Sequence, residues 1–397
     1  MQIIQGLLEG LFNGVSIGAV LLIAALGLAI VFGLMGVINM AHGEFMMLGA
    51  YTTFVVQNVF KTFGSPWVEM YIIFALPVAF FLTAGFGIIL ERGVIRYLYG
   101  RPLETLLATW GVSLILQQFV RSVNWVIIIG LGLFSGLFFG GLWLISKRAD
   151  FDIATQRRGD RIKSLVWTIM LPVCLGISIV TGFILSQTFQ LTVTKPWFGA
   201  QNVDVTAPAW LRGGVKVFGT FQIPYARLFI IVLTIVCIAG IYLFLQKSRW
   251  GLRIRSVTQN RTMSSCLGIP TEKVDSLTFA LGSGLAGVAG CAISLLGSVG
   301  PNTGQNYVVD TFMVVVVGGV GKLAGTVVAA IAIGTVNYFI GSGTIAILLQ
   351  PIKPLADFFT FFATASMAKV MVFFLIISLL QFRPGGIFPQ KGRTVDA

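Results

Sequence analysis

Charge is scarce in this chain. Only 10% of its 397 residues are Asp, Glu, Lys or Arg, against roughly 25% in ordinary soluble domains. So few charges cannot cover a water-exposed surface, and a soluble fold is excluded. Acid is scarcer still, with 14 Asp and Glu against 27 Lys and Arg. The one histidine, His42, excludes a multi-histidine metal centre. Cys174, Cys237, Cys266 and Cys291 stand far apart, so neither a disulfide framework nor a zinc pattern is visible. No Lys or Arg precedes Lys61, and the first apolar stretch is too long for the core of a signal peptide, so none is expected. No Ser-His-Asp set and no usefully spaced pair of carboxylates is present. Neither an enzyme activity, a cofactor nor a metal is expected.

What is abundant is apolar surface. Hydrophobic residues make up 56% of the chain, with 33 Phe and 47 Gly. Phe suits contact with acyl chains, and Gly permits close helix packing in lipid. A membrane-spanning helix needs about 20 mostly apolar residues. Candidate spans run near 10–33, 44–60, 68–90, 104–121, 125–146, 165–187, 226–246, 274–297, 308–322, 325–345 and 363–382. The expected fold is therefore an all-α, polytopic membrane protein with ten or eleven transmembrane helices in a single transmembrane domain, residues 1–397. The stretch 308–345 has room for broken or re-entrant helices. No run is long enough to form a separate soluble domain.

The formal net charge of +13 would raise nucleic acid as a partner in a soluble protein. Here the basic residues fall in short loops, and nucleic-acid binding is not expected. Loop 91–101 carries Arg92, Arg96 and Arg101. Loop 147–163 carries Lys147, Arg148, Arg157, Arg158, Arg161 and Lys163, and 247–273 carries six basic residues including Arg255 and Arg261. By the positive-inside rule these loops and the basic tail face the cytoplasm. That places the N-terminus outside and the C-terminus inside an inner membrane. The segment 188–225 is poor in charge and holds Trp197 and Trp210, as expected of an ordered extracytoplasmic loop. The pair of spans within 125–187 reads as an inserted helical hairpin, because its removal leaves the remaining topology unchanged.

Four stretches carry polar or glycine patterns that lipid contact alone does not explain. In the first, Asn39, His42 and Glu44 follow a long uncharged run in which Gly33 and Gly36 offer a turn. Polar groups at membrane depth are costly and usually face a cavity or a partner. They line a permeation path, or else Asn39 and Glu44 cap a helix at the interface, where an acid favours the helix start. In the second, Val257, Arg261 and Ser264 keep helical spacing, and Gly268 with Pro270 ends the helix. One helix of about ten residues is expected there. It either docks on an ATPase or lies at the interface. In the third, Gly282 to Gly290 contains a formal GxGxxG, but inside a span rather than between a strand and a helix. Gly282, Ala286 and Gly290 instead make one smooth face for helix packing. In the fourth, Gly321-Lys322 lacks the rest of a P-loop, since Leu323 replaces Ser/Thr and position 316 is Val. These glycines mark a bend between two half-spans. Asp310 stands ahead of them as a further candidate, at an external mouth.

Across Gly27–Tyr51 (GLAIVFGLMGVINMAHGEFMMLGAY), Leu107–Val120 (LATWGVSLILQQFV), Ser256–Gly290 and Val314–Gly334, the chain resembles the LivH-type permeases of ABC importers. That family serves branched-chain amino acids and, in one branch, urea. The wording around Met40 and Met46-Met47 looks most like the urea branch. The resemblance implies a second homologous permease subunit, two cytoplasmic ABC ATPases and an extracytoplasmic substrate-binding protein. It also implies a coupling helix around Asn260, Arg261, Ser264 and Gly268. The 125–187 insertion departs from shorter members of the family.

Urea is also the chemically simpler passenger. It needs amides, hydroxyls or one carboxylate, which Asn39, Glu44, Thr109, Ser113, Gln117 and Gln118 supply. A zwitterionic amino acid needs its charges matched in the membrane. A stand-alone channel or secondary transporter is the rival reading, but it asks for coupling acids or inverted repeats. Glu44 is the only strong membrane acid in view, and no internal repeat is evident.

Overall fold

A computed structural model describes residues 2–149, 170, 172–184, 195–217, 221–350 and 353–388. The chain divides into two compact units. The larger comprises Met1–Leu116 and Asn202–Ala397, and the smaller Gln117–Gln201. A helix occupies part of each of the eleven apolar intervals. Seven of these helices, among the described residues, are long and apolar enough to cross a membrane. The molecule is an all-α, polytopic membrane protein.

The larger unit is built around α1 (Gln2–Ile30) and α10 (Thr271–Ser294). Beyond their first turns both are buried over most of their length, where their sequences turn small and apolar. At about 1.5 Å per residue, α1 is longer than the hydrocarbon core needs. It runs into a turn of π-helix, Val31–Met35, and stops at Gly36, whose left-handed φ of 70° suits glycine. The chain then re-enters as α2 (His42–Phe63). α3 (Tyr71–Gly93) and α4 (Pro102–Ser122) follow.

Small residues let the backbones meet. Against α12 (Leu323–Gly341), a side chain at Gly14 would strike Thr335, and one at Gly18 would strike Ala330. Helix α10 touches three neighbours in this way. Gly282 faces Gly27 of α1, Gly287 faces Ala79 and Thr83 of α3, and Gly290 lies on the Met46 carbonyl of α2. Ala286, between them, is fully buried.

Helix α11 (Thr303–Gly318) is only 16 residues long. Its first turn meets that of α2, with Gly304 and Gly43 each on the other's backbone. The turn from α11 to α12 uses Gly319 and Gly321, both at positive φ, where the glycine run predicts a bend. α7 (Tyr225–Lys247) and α15 (Ala365–Phe382) complete the long helices of this unit. The segment 202–213 covers the ends of α2 and α3: Gln57 and Tyr71 donate to the Thr206 carbonyl, at 2.6 and 3.0 Å. A short hairpin of β1 (Gly214–Val217) and β2 (Phe221–Pro224) leads into α7.

Three features differ from the sequence reading. The expected single helix before Gly268 is two, α8 (Arg249–Gln259) and α9 (Arg261–Cys266). Asn260 separates them in an extended conformation, and its side chain accepts the Met263 N–H at 2.9 Å. Asparagine is a strong helix N-cap, so it begins a new helix rather than continuing the old. Two short helices, α13 (Thr344–Leu348) and α14 (Lys353–Phe361), precede α15 where none was expected. And, among the described residues, α2, α11 and the helices Trp125–Ala149 and Pro172–Ile184 fall outside the seven spans, α11 because it is short.

In the smaller unit, α5 (Trp125–Ala149) and α6 (Pro172–Ile184) line an apolar groove that includes Val126, Phe134, Leu175 and Ile179. The Trp197 N–H donates to the Val123 carbonyl at 2.9 Å, and Trp197 sits edge-on to Trp125. Arg157, Arg158, Arg161 and Lys163 of the basic loop lie outside the described residues, as do Lys391 and Arg393 of the tail.

Candidate functional site

The break between α1 and α2 places non-helical backbone among buried helices. In a membrane such backbone is tolerated where protein or a cavity satisfies it. Here Thr109 of α4 does so. Its hydroxyl accepts the Met40 N–H at 3.1 Å and lies 3.5 Å from the Ile38 carbonyl. Asn39 is buried, and its Oδ1 accepts the Ala41 N–H at 3.1 Å, closing a local turn. Its Nδ2 is buried without a partner among the described residues.

One turn along α4, the Ser113 hydroxyl donates to Glu44 Oε1 at 3.0 Å. Glu44 is 1% exposed and sits in the first turn of α2, where the helix dipole favours an acid. Thus Asn39, Glu44, Thr109 and Ser113 are brought together by the start of α2 and one face of α4. Thr105, Thr109, Ser113 and Gln117 are four apart and all buried, so α4 carries a polar stripe. Gln117 continues it in the smaller unit, while Gln118 is exposed and reaches only Ser122.

His42 turns the other way. Its Nε2 donates to the Ala24 carbonyl of α1 at 3.0 Å, and its buried Nδ1 has no partner among the described residues. The ring therefore joins α2 to α1 and is fully buried.

A second set of groups lies at the far end of α10, and most of its members escaped the sequence reading. Arg261, the first residue of α9, pairs with Asp275 of α10 at 2.7 Å. The same guanidinium lies 4.5 Å over the ring of Tyr99, in the connector between α3 and α4. The Tyr99 hydroxyl reaches Glu91 at 3.4 Å. Glu91 ends α3 with a fully buried side chain, and accepts from Ser276 of α10 and from Arg96. Arg96 also pairs with Glu272 at 2.9 Å. Burial pushes the Tyr99 phenol above its ordinary range, the Asp275 and Glu91 charges adding to the rise and Arg261 opposing it. The hydrogen bond to Glu91 raises the Arg96 guanidinium. Ser264 is buried, and Gly268 at φ 79° follows α9. Met263 and Leu267 are exposed. These partners are up to 185 positions apart in the chain, and no local pattern announces them.

At the other end of α10, a polar cavity of about 440 Å³ is lined by Asn202, Ser298, Asn302, Thr303, Asn306 and Tyr307 among others. Its floor is the first turn of α11, next to the Gly43–Gly304 contact. Further along α11, Asp310 is buried and pairs with Lys369 of α15 at 2.7 Å. Among the described residues, no group of three His, Cys, Asp or Glu is placed to hold a metal ion.

Comparison with known proteins agrees with this architecture. Residues 10–380 match the family described as "Branched-chain amino acid transport system / permease component". The high-affinity branched-chain amino acid transport system permease protein BraD of Pseudomonas aeruginosa is 25% identical over 382 residues, covering 96% of this chain and 95% of that protein. The permease LivH of Escherichia coli K12 is 22% identical, with 82% and 83% covered. The probable permease LivH of Methanocaldococcus jannaschii is 24% identical, with 81% and 78% covered. No solved structure matches. With eleven helices where apolar runs place them and a family match over nearly its whole length, the chain belongs to the permease components of the branched-chain amino acid transport family.

Proposed function

We propose that this chain is one permease subunit of an ATP-driven importer for branched-chain amino acids. It would pair with a second, homologous permease and be driven by two ABC ATPases. A binding protein would deliver the substrate from outside. The observation that carries this reading is the placement of two polar regions at opposite ends of α10. That helix has 24 residues, and at about 1.5 Å each it spans roughly a whole membrane. The asparagine-lined cavity stands at one end, as a mouth. The α8–α9 pair stands at the other, as a grip for ATPases through the exposed Asn260, Arg261 and Gly268, with Ser264 buried beneath them. Between them the Gly43–Gly304 contact closes the way to Asn39, Glu44, Thr109 and Ser113, which line the proposed path. His42 serves this path by fixing α2 against α1. This arrangement has α9 and the basic loops in the cytoplasm of a cell with an inner membrane, the N-terminus outside and the C-terminus inside. The 125–187 segment is proposed as an inserted hairpin, and 188–225 as the extracytoplasmic loop.

The substrate follows the relatives. BraD and LivH are named for branched-chain amino acids, and none of the relatives named above for urea. The chemical objection to a zwitterion also weakens. Few intramembrane ions stand out in the sequence, but the fold joins Asp310 to Lys369 and buries Glu44. Urea keeps the support of the motif wording and of the neutral lining of the mouth. The test is uptake of labelled L-leucine and of labelled urea by the complete transporter in proteoliposomes. Leucine uptake that valine and isoleucine suppress and urea leaves unchanged is expected. Urea uptake without leucine uptake overturns the substrate.

A further inference from the structure

α9 is joined to packed elements at both ends. At its start Asn260 connects it to α8, whose Ile254 is buried, and at its end the four residues Leu267 to Pro270, with Gly268 at φ 79°, join it to α10. Arg261, at the start of α9, adds a side-chain tie. Its guanidinium pairs with Asp275 at 2.7 Å and stacks on Tyr99 at 4.5 Å.

Each contact leads by rigid elements to the start of α2. Asp275 sits on α10, whose Gly290 lies against the Met46 carbonyl in α2. Tyr99 sits in the connector to α4, whose Thr109 holds the Met40 N–H and whose Ser113 holds Glu44. Tyr99 is itself fixed through Glu91 to Ser276 of α10. The Asp275 side chain is 6% exposed while that of Arg261 is 45% exposed, so the carboxylate is covered within the chain and the guanidinium is open on one side.

We infer that the Arg261–Asp275 pair, backed by Tyr99, is the latch that makes α9 and the α2–α4 polar cluster move together. This rests on the permease reading above, and goes beyond it by naming the intramolecular link. Arg261 and Asp275 are positioning residues: they touch no substrate. Arginine suits the role because one planar cation serves a carboxylate and an aromatic face at once.

Two measurements test the latch, on Arg261→Gln, Asp275→Asn and the charge-keeping Arg261→Lys. The first uses the permease alone and so does not depend on any ATPase. Amide hydrogen exchange across 261–267 is expected to rise by about ten-fold or more in Arg261→Gln and Asp275→Asn, and less in Arg261→Lys. The second uses the complete transporter in proteoliposomes and reads uptake per ATP hydrolysed, with L-leucine or urea as probe, whichever the unmodified transporter accumulates. Asp275→Asn is expected to keep its ATPases and their hydrolysis rate while uptake per ATP falls about ten-fold or more. Exchange that stays unchanged overturns the latch, and so does faster exchange with unchanged uptake per ATP. Loss of the ATPases from Asp275→Asn assigns the pair to docking instead, and equally overturns it. If the unmodified permease binds no ATPase, the permease reading fails, while the exchange measurement still decides whether the pair holds α9.

Discussion

Glu44 has almost no access to water and is held at the start of α2 by the Ser113 hydroxyl. A stabilising role and a path role predict different things for Glu44→Gln. The helix-start contribution is only about 0.3–1 kcal/mol, so the variant is expected to fold and assemble. Uptake is expected to fall about ten-fold or more if the carboxylate lines the path. Normal uptake with normal assembly would leave Glu44 as a helix-start acid. The Asp310–Lys369 pair makes a second prediction. Lys369→Met strands a buried carboxylate, and is expected to lower stability by about 1–3 kcal/mol, the partial exposure of Lys369 keeping the loss modest. The double variant Asp310→Asn with Lys369→Met is expected to recover most of that loss in a thermal melt of the purified protein. If it does not, the pair is not what stabilises the α11–α15 contact.

Close backbone contacts at small residues join the elements beside buried side chains such as Phe45 against Phe279. At Gly290 a new Cβ would land on the Met46 carbonyl, which cannot move without moving α2. Gly290→Ala is expected to cost about 1–3 kcal/mol, an overpacking penalty. Gly85 of α3 has nothing near its would-be Cβ. There Gly85→Ala is expected to be neutral, or stabilising by up to about 1 kcal/mol, through helix propensity alone. Equal melting shifts for the two would contradict the packing described. At this scale the sequence was most informative about the helices and least about their ends. The apolar runs locate every long helix. The stripe Gly282–Ala286–Gly290 is visible as a spacing, but its two different neighbours are not, since Gly282 meets α1 and Gly290 meets α2. Asn260 reads as one polar residue within a helical pattern until its extended backbone and cap are seen. Asn260→Ala removes that cap and is expected to fray α9, at about 0.5–2 kcal/mol, visible as faster exchange at Met263.

For the whole molecule, the polar groups near the start of α2 are legible because they interrupt an uncharged run. The partners that hold them are less so. Thr109 and Ser113 are ordinary residues in a span until the fold sets them beside Met40 and Glu44. The charged set of Glu91, Arg96, Tyr99, Arg261, Glu272 and Asp275 has no sequence signature, because its members come from elements far apart in the chain. The family assignment, by contrast, draws on residues 10–380 together and needs none of these contacts. The central claim is that ATP hydrolysis in subunits docked at α9 drives passage along a path near Glu44. The most direct measurement reconstitutes the permease pair with its ATPases in sealed vesicles, adds the binding protein outside, and follows labelled leucine inward with ATP, or with a non-hydrolysable analogue, enclosed. Accumulation against a gradient with ATP and none with the analogue is predicted. Equal entry under both conditions would show a channel or a secondary carrier, and would contradict the account.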